Sequence, residues 1–141
     1  MTKEISSFDD YIYVRDVIER FEELESERDS LQEEVAECAE NSRENLAEWQ
    51  EDSGEEFRLL ESLLADLCGY GGDEQWRGDW YPCVLIRDLA FVDAMRELLQ
   101  DIGDLPRDIP AYLAIDWEKT AENLRADYSS VDFGGVTYWY R

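Results

Sequence analysis

Across residues 13 to 51, Val14, Val17, Phe21, Leu24, Leu31, Val35 and Cys38 follow one another at intervals of 3, 4, 3, 7, 4 and 3 residues. That is the seam of a heptad repeat, and its period belongs to a helix and excludes a strand. A second set on the same stretch is wholly acidic. Asp29, Glu33, Glu37, Glu40, Glu44, Glu48 and Glu51 are separated by 3 or 4 residues, so one continuous helix would stack them along one face. Each such like-charge pair opposes an isolated helix by about 0.2–0.5 kcal/mol, so packing has to hold the segment together. The spacing therefore predicts one long acidic helix over residues 13 to 51. Its seam, Val14, Val17, Phe21, Leu24, Leu31 and Val35, is expected to pair with a second copy of the chain in a homodimer.

Ser7 with Asp10 suits a capping box and sets the helix start loosely between residues 8 and 16. Past Cys38 the seam fades, because Ser42 and Asn45 occupy its next positions before Leu46 and Trp49 restore an apolar side. Asp52, Ser53 and Gly54 predict a turn. Phe57, Leu60, Leu63, Leu64 and Leu67 then mark a second amphipathic helix, ending at Gly69 and packed antiparallel on the last third of the first. Residues 69 to 83 form a loop punctuated by Gly69, Gly71, Gly72 and Gly78, with Trp76 and Trp80 expected to dock on the core.

Residues 84 to 86 suit a strand or the start of a helix, and Asp88 is a cap for a helix to about Ile102 that buries Phe91, Met95, Leu98, Leu99 and Ile102. Gly103 stops it, and Pro106 and Pro110 keep the next segment extended. Asp116 caps a helix carrying Trp117, Ala121 and Leu124. Val131 and Phe133, then Gly134 and Gly135, then Val136, Tyr138 and Tyr140 read as a β-hairpin. The expected fold class is α+β: an acidic helical arm over residues 1 to 68, the glycine and aromatic loop over 69 to 83, and a C-terminal α+β domain over 84 to 141.

Residue types narrow the chemistry. The chain has no histidine, which excludes Ser-His and Cys-His catalysis and removes the commonest transition-metal ligand. It has no P-loop or GxGxxG, and residues 127 to 134 do not follow the order of a calcium loop. Glu118 and Glu122 share a helix face, but a glycosidase pair also needs a cleft and a raised pKa. The expectation is no enzyme, no catalytic residue, no metal and no cofactor. Cys38, Cys68 and Cys83 form no CxxC pair and are expected to be buried, reduced thiols. The first residues lack the pattern of a signal peptide, and no apolar run approaches the ~20 residues of a membrane span, so the expected location is cytoplasmic, without membrane contact.

Charge narrows the function. The net charge is −23, from 36 acids and 13 bases, and residues 1 to 66 hold 22 of those acids against 6 bases. Such a surface repels nucleic acid and anionic membrane and attracts basic proteins. Adaptation to high salt would spread the acids evenly, whereas here they concentrate in the first half. Residues 13 to 51 carry 14 acids and 4 bases, net −10, over roughly 58 Å at ~1.5 Å per residue. That is one net charge per ~6 Å, or per ~3 Å for two such helices side by side, against one per ~1.7 Å in duplex DNA. Only a pair of helices approaches DNA. The expected function is non-enzymatic: an acidic DNA mimic occupying the channel of a basic nucleic-acid-binding complex. The alternative is an acidic coiled-coil interaction or scaffold protein whose charge only keeps it soluble.

Residues 112 to 141, YLAIDWEKTAENLRADYSSVDFGGVTYWYR, add a resemblance. They are similar to the C-terminal segment of small proteins carried by phages and plasmids, including antirestriction proteins of the ArdA type. There a D-[YW]-E-x-x-A-x-x-L helix precedes an aromatic strand, and Asp116, Trp117, Glu118, Ala121 and Leu124, then Val136, Tyr138 and Tyr140, stand at the matching positions. The resemblance implies a dimeric DNA mimic that blocks an anti-phage complex, whether a type I restriction enzyme, a CRISPR surveillance complex or another nuclease. The chain departs from that family in carrying its acid on a heptad helix, where ArdA-type proteins spread it over several small domains.

Overall fold

The periodic stretch is helical as its spacing predicts, but the chain turns back within it. The computed structural model describes residues 3–69, 72–106 and 108–141. Strand β1 (Tyr11–Tyr13) leads directly into helix α1 (Val14–Ala36), and α2 (Ser42–Leu67) returns beside it. The single helix expected over residues 13 to 51 is therefore two, and the turn expected at Asp52, Ser53 and Gly54 lies inside α2. The cause is local. Cys38 and Asn41 adopt left-handed φ angles of 56° and 59°. The Ala39 amide donates to the Glu34 carbonyl at 3.0 Å and the Cys38 amide to the Val35 carbonyl at 3.1 Å, the two bonds of a Schellman ending. Glycine usually fills that position, and here cysteine does. Gly54, by contrast, is buried in α2, and a Cβ built on it meets nothing nearer than Gln50 Cβ at 3.8 Å.

The remaining elements are β2 (Glu74–Trp76), β3 (Asp79–Tyr81), β4 (Val84–Arg87), α3 (Phe91–Asp101), α4 (Trp117–Arg125), β5 (Ser129–Phe133) and β6 (Val136–Tyr140). Four strands form an antiparallel sheet in the order β1-β4-β6-β5, and β2 with β3 makes a separate hairpin. The fold is mixed α+β, and the expected β5–β6 hairpin is present, turning at Gly134 and Gly135 with φ of 59° and 82°. Gly71, named in the loop reading, lies outside the described residues.

The sheet is covered on both faces, and strand alternation decides which side chain faces which layer. Leu85, Val131, Phe133 and Tyr138 join Val14, Val17, Phe21 and Leu24 of α1 and Phe57, Leu60, Leu63, Leu64 and Leu67 of α2 in the larger core. Ile86 and Trp139, each one residue along from those, pack instead with Phe91, Ala94 and Met95 of α3 and Ala121 of α4. The arm and the C-terminal segment thus share one core. Val14, Val17, Phe21 and Leu24, expected to form a dimer seam, are buried inside the chain, with α2 and the sheet as their partners; Leu31 and Val35 are half-buried.

Other expectations also change. Cys38, Cys68 and Cys83 are exposed rather than buried. Trp76 does dock, edge-on to Phe21 and Tyr81, but Trp80 is 41% exposed. Asp88 caps no helix; it opens a 3-10 turn and accepts a hydrogen bond from Trp139 Nε1 at 2.8 Å. Ile102 falls beyond α3 and is 57% exposed. Asp116 does cap α4, accepting from the Lys119 amide at 3.0 Å.

Tyr138 is wholly buried and donates to the Asp9 carbonyl at 2.6 Å. Burial pushes its phenol up to about 12 from an ordinary 10.0, and burial first, with the Cys68 hydrogen bond second, pushes Tyr81 up to about 12. A raised phenol contributes stability that is complete below its unfolded value and lost as pH climbs through the folded one. The unfolding free energy should hold up to about pH 10 and fall towards pH 12. Tyr138→Phe should flatten that fall and lower stability at neutral pH by about 1 kcal/mol, read by urea denaturation. The interhelix turn supplies a second expectation. Cys38→Gly relieves a left-handed side chain and should add about 1 kcal/mol, and Gly54→Ala about 0.5–1 kcal/mol, each as a higher urea midpoint at unchanged m-value.

Candidate functional site

Carboxylates at the root of the α1–α2 hairpin find partners within the chain. Arg20 lies against Glu56 with two hydrogen bonds of 2.7 and 3.0 Å, and Phe21 stacks on Phe57 at a centroid distance of 5.0 Å. That bidentate bond to Glu56 raises the Arg20 guanidinium above its ordinary range. Trp76 Nε1 donates to Glu22 at 3.0 Å, Arg77 pairs with Glu25, and Trp49 Nε1 donates to Glu27 at 3.0 Å. The pairs of residue 20 with 56 and 27 with 49 fix the helices as antiparallel and in register. Arg28 binds Asp29 and lies 4.8 Å above the Phe57 ring, which closes this partnered zone.

Beyond it the hairpin changes character. Glu33, Glu34, Glu37, Glu40, Glu44, Glu48, Glu51, Asp52 and Glu55 are all exposed, and none makes an ion pair among the described residues. Arg43 is the one basic residue between Asp29 and Asp52. Of the acidic stripe read from the sequence, Asp29 and Glu33 lie on α1, Glu37 and Glu40 in the turn, and Glu44, Glu48 and Glu51 on α2. The stripe is not one straight face. It runs up one helix, round the turn and down the other. Glu34, Asp52 and Glu55 belong to the same exposed set; Glu55 continues the interval past Glu51, Asp52 stands four residues beyond Glu48, and Glu34 lies beside Glu33, so the exposed set is wider than the stripe that ends at Glu51.

The fold thereby doubles the charge per unit length. Residues 14 to 67 hold 19 acids and 5 bases, net −14, and the longer helix spans ~39 Å at ~1.5 Å per residue. That is one net charge per ~2.8 Å, reached within a single chain, against ~1.7 Å in duplex DNA. Local helix energetics do not call for it. The last turn of α1 carries Glu33 and Glu34 and no base, and α2 likewise ends without one, so carboxylates sit at the negative ends of both helix dipoles.

Among the described residues no group of three or more His, Cys, Asp or Glu side chains is placed to hold a metal ion. The concavity at the turn is open and lined by Val35, Cys38, Ser42 and Arg43. No helix among the described residues is long and apolar enough to cross a membrane. Compared with protein-family models, with curated proteins and with solved structures, the chain matches none.

Unpaired acids at the hairpin tip repel one another, so screening them should stabilise the fold. The melting temperature is expected to rise as sodium chloride increases through the range where the Debye length falls from about 10 Å to about 3 Å. Glu33→Gln with Glu34→Gln, which removes two carboxylates from the negative end of α1, should raise stability by about 0.3–1 kcal/mol each at low salt. A melting temperature that fell with added salt would mean that the ion pairs at the root outweigh repulsion at the tip.

Proposed function

We propose that this protein is a non-enzymatic anti-defence inhibitor, of antirestriction or anti-CRISPR type, that acts as an acidic DNA mimic on a basic nucleic-acid-binding complex of the host. The observation that carries the reading is the pairing of two acidic helices within one chain. DNA-like charge spacing needed two helices side by side, and the hairpin provides them without a second copy. Its length of ~39 Å also compares with the ~34–36 Å of one DNA turn. A lysine or arginine that holds a backbone phosphate in such a complex finds a carboxylate at similar spacing and forms the same charge-assisted contact. The concentrated field also raises the rate of encounter with a basic channel. The resemblance of residues 112 to 141 to ArdA-type proteins supports the anti-defence class. The residues that carry this resemblance stand at the cap of α4, on α4 and on β6, and the acids stand on the hairpin.

The test is a pull-down from host lysate, eluted with a salt gradient and challenged with duplex DNA. The wild-type chain should retain a nuclease or other DNA-binding complex that elutes late and is displaced by DNA. Reversing Glu33, Glu37, Glu40 and Glu44 to lysine, all exposed and unpaired, should leave the circular dichroism spectrum unchanged and weaken binding and inhibition by about tenfold or more. Full inhibition by that variant would overturn the reading. A partner held independently of salt and DNA would favour the scaffold alternative.

A further inference from the structure

β1, which runs directly into α1, lies at one edge of the sheet. Among the described residues its one strand neighbour is β4. The Arg87 amide donates to the Asp10 carbonyl at 2.8 Å and the Val14 amide to the Cys83 carbonyl at 3.0 Å, with Ile12 opposite Leu85 between them. In an antiparallel ladder the residues between such pairs, Tyr11 and Tyr13, point their amide groups away from β4. The Tyr11 N–H and C=O and the Tyr13 N–H therefore face outward, and no strand pairs with them among the described residues. Beside this edge lies a cleft of about 430 Å³ whose floor is Tyr11, Tyr13, Ile86, Met95 and Leu98. Tyr13 is 53% exposed. The rim is acidic: Glu97 and Asp101 line the cleft, and Glu97, Asp10 and Asp93 are the carboxylates whose charge reaches the Tyr11 phenol. None of the four makes an ion pair among the described residues.

We infer that β1 and this cleft form a docking surface for an extended basic segment of a partner protein, which adds to the sheet as a strand and places apolar and arginine side chains in the cleft. Three independent requirements of strand addition meet there: unpaired backbone groups in register, an apolar floor for alternate side chains, and charge of one sign at the rim. The two tyrosine faces suit a guanidinium as well as an aliphatic chain. A second copy of this chain fits less well, because it would bring another net charge of −23 to an already acidic edge. The inference does not rest on mimicry by the hairpin, and either can fail alone.

The probe is the end-blocked peptide Thr-Leu-Thr-Arg-Thr-Leu-Thr, whose leucines and arginine share one side of a strand, titrated into the full chain by calorimetry with amide exchange as the local readout. Saturable binding with slowed exchange at Tyr11 and Tyr13 is expected. The same peptide N-methylated at its edge-facing amides keeps the side chains and loses the donors, and should bind about tenfold or more weakly. Tyr11→Pro removes an outward N–H at an edge position that tolerates proline and should have the same effect with the melting temperature retained. Glu97→Gln with Asp101→Asn should weaken binding several-fold and reduce its salt dependence. Equal binding of the methylated peptide would overturn the proposal whether or not the variants fold. So would self-association of the free chain that Tyr11→Pro abolishes, which would make the occupant a second copy.

Discussion

Two acidic helices lie side by side in this structure because apolar contact holds them together at one end only. Phe21 against Phe57, with Leu24, Leu60, Leu63 and Leu64 around them, joins the hairpin to the sheet. Everything distal to Arg28 rides on that anchorage, since Leu31, Val35, Leu46 and Trp49 are only half-buried. The ion pairs and indole hydrogen bonds cluster at the same end. Arg20, Arg77, Trp76 and Trp49 each answer a carboxylate there, so repulsion is eased where the helices must pack and left standing where they do not. Stability and charge are thus assigned to different ends of one element, an arrangement in which local preference is overridden at the surface and restored in the core.

Much of this was legible in the residues. The helical period of Val14, Val17, Phe21 and Leu24 was real, as were the helix capped by Asp116 and the hairpin turning at Gly134 and Gly135. What periodicity could not say was whose helix fills the seam. A heptad stripe looks the same whether its partner is another chain or a later part of its own, and here the partner arrives after Asn41. The break itself was hidden for a physical reason. It uses cysteine and asparagine in left-handed conformations, while the one glycine nearby, Gly54, sits inside a helix. Punctuation read from glycine therefore fell in the wrong place by about four turns of helix.

Of the candidate site, the acids were legible and their arrangement was not. Sequence intervals gave Asp29 through Glu51 as one face, and the turn at residues 37 to 41 bends that face back on itself. The charge density that a straight helix lacks comes from this fold-back. The outward edge at Tyr11 and Tyr13 had only a short signal, the apolar run from Tyr11 to Val14. Three residues between a polar opening and a helix do not announce a strand, and only pairing with β4 reveals one.

The place of β6 in the sheet has a further consequence for how the molecule is made. Residues 136 to 140 form an interior strand, flanked by β4 and β5, and Tyr138 from that strand reaches back to Asp9. During vectorial synthesis α1 and α2 leave the ribosome long before the strand that completes the surface they pack on. For that interval the leucines of the hairpin root have no sheet to cover them. The carboxylates that crowd the tip need no sheet to act, and like charge repels one such chain from another before the strand arrives as well as after.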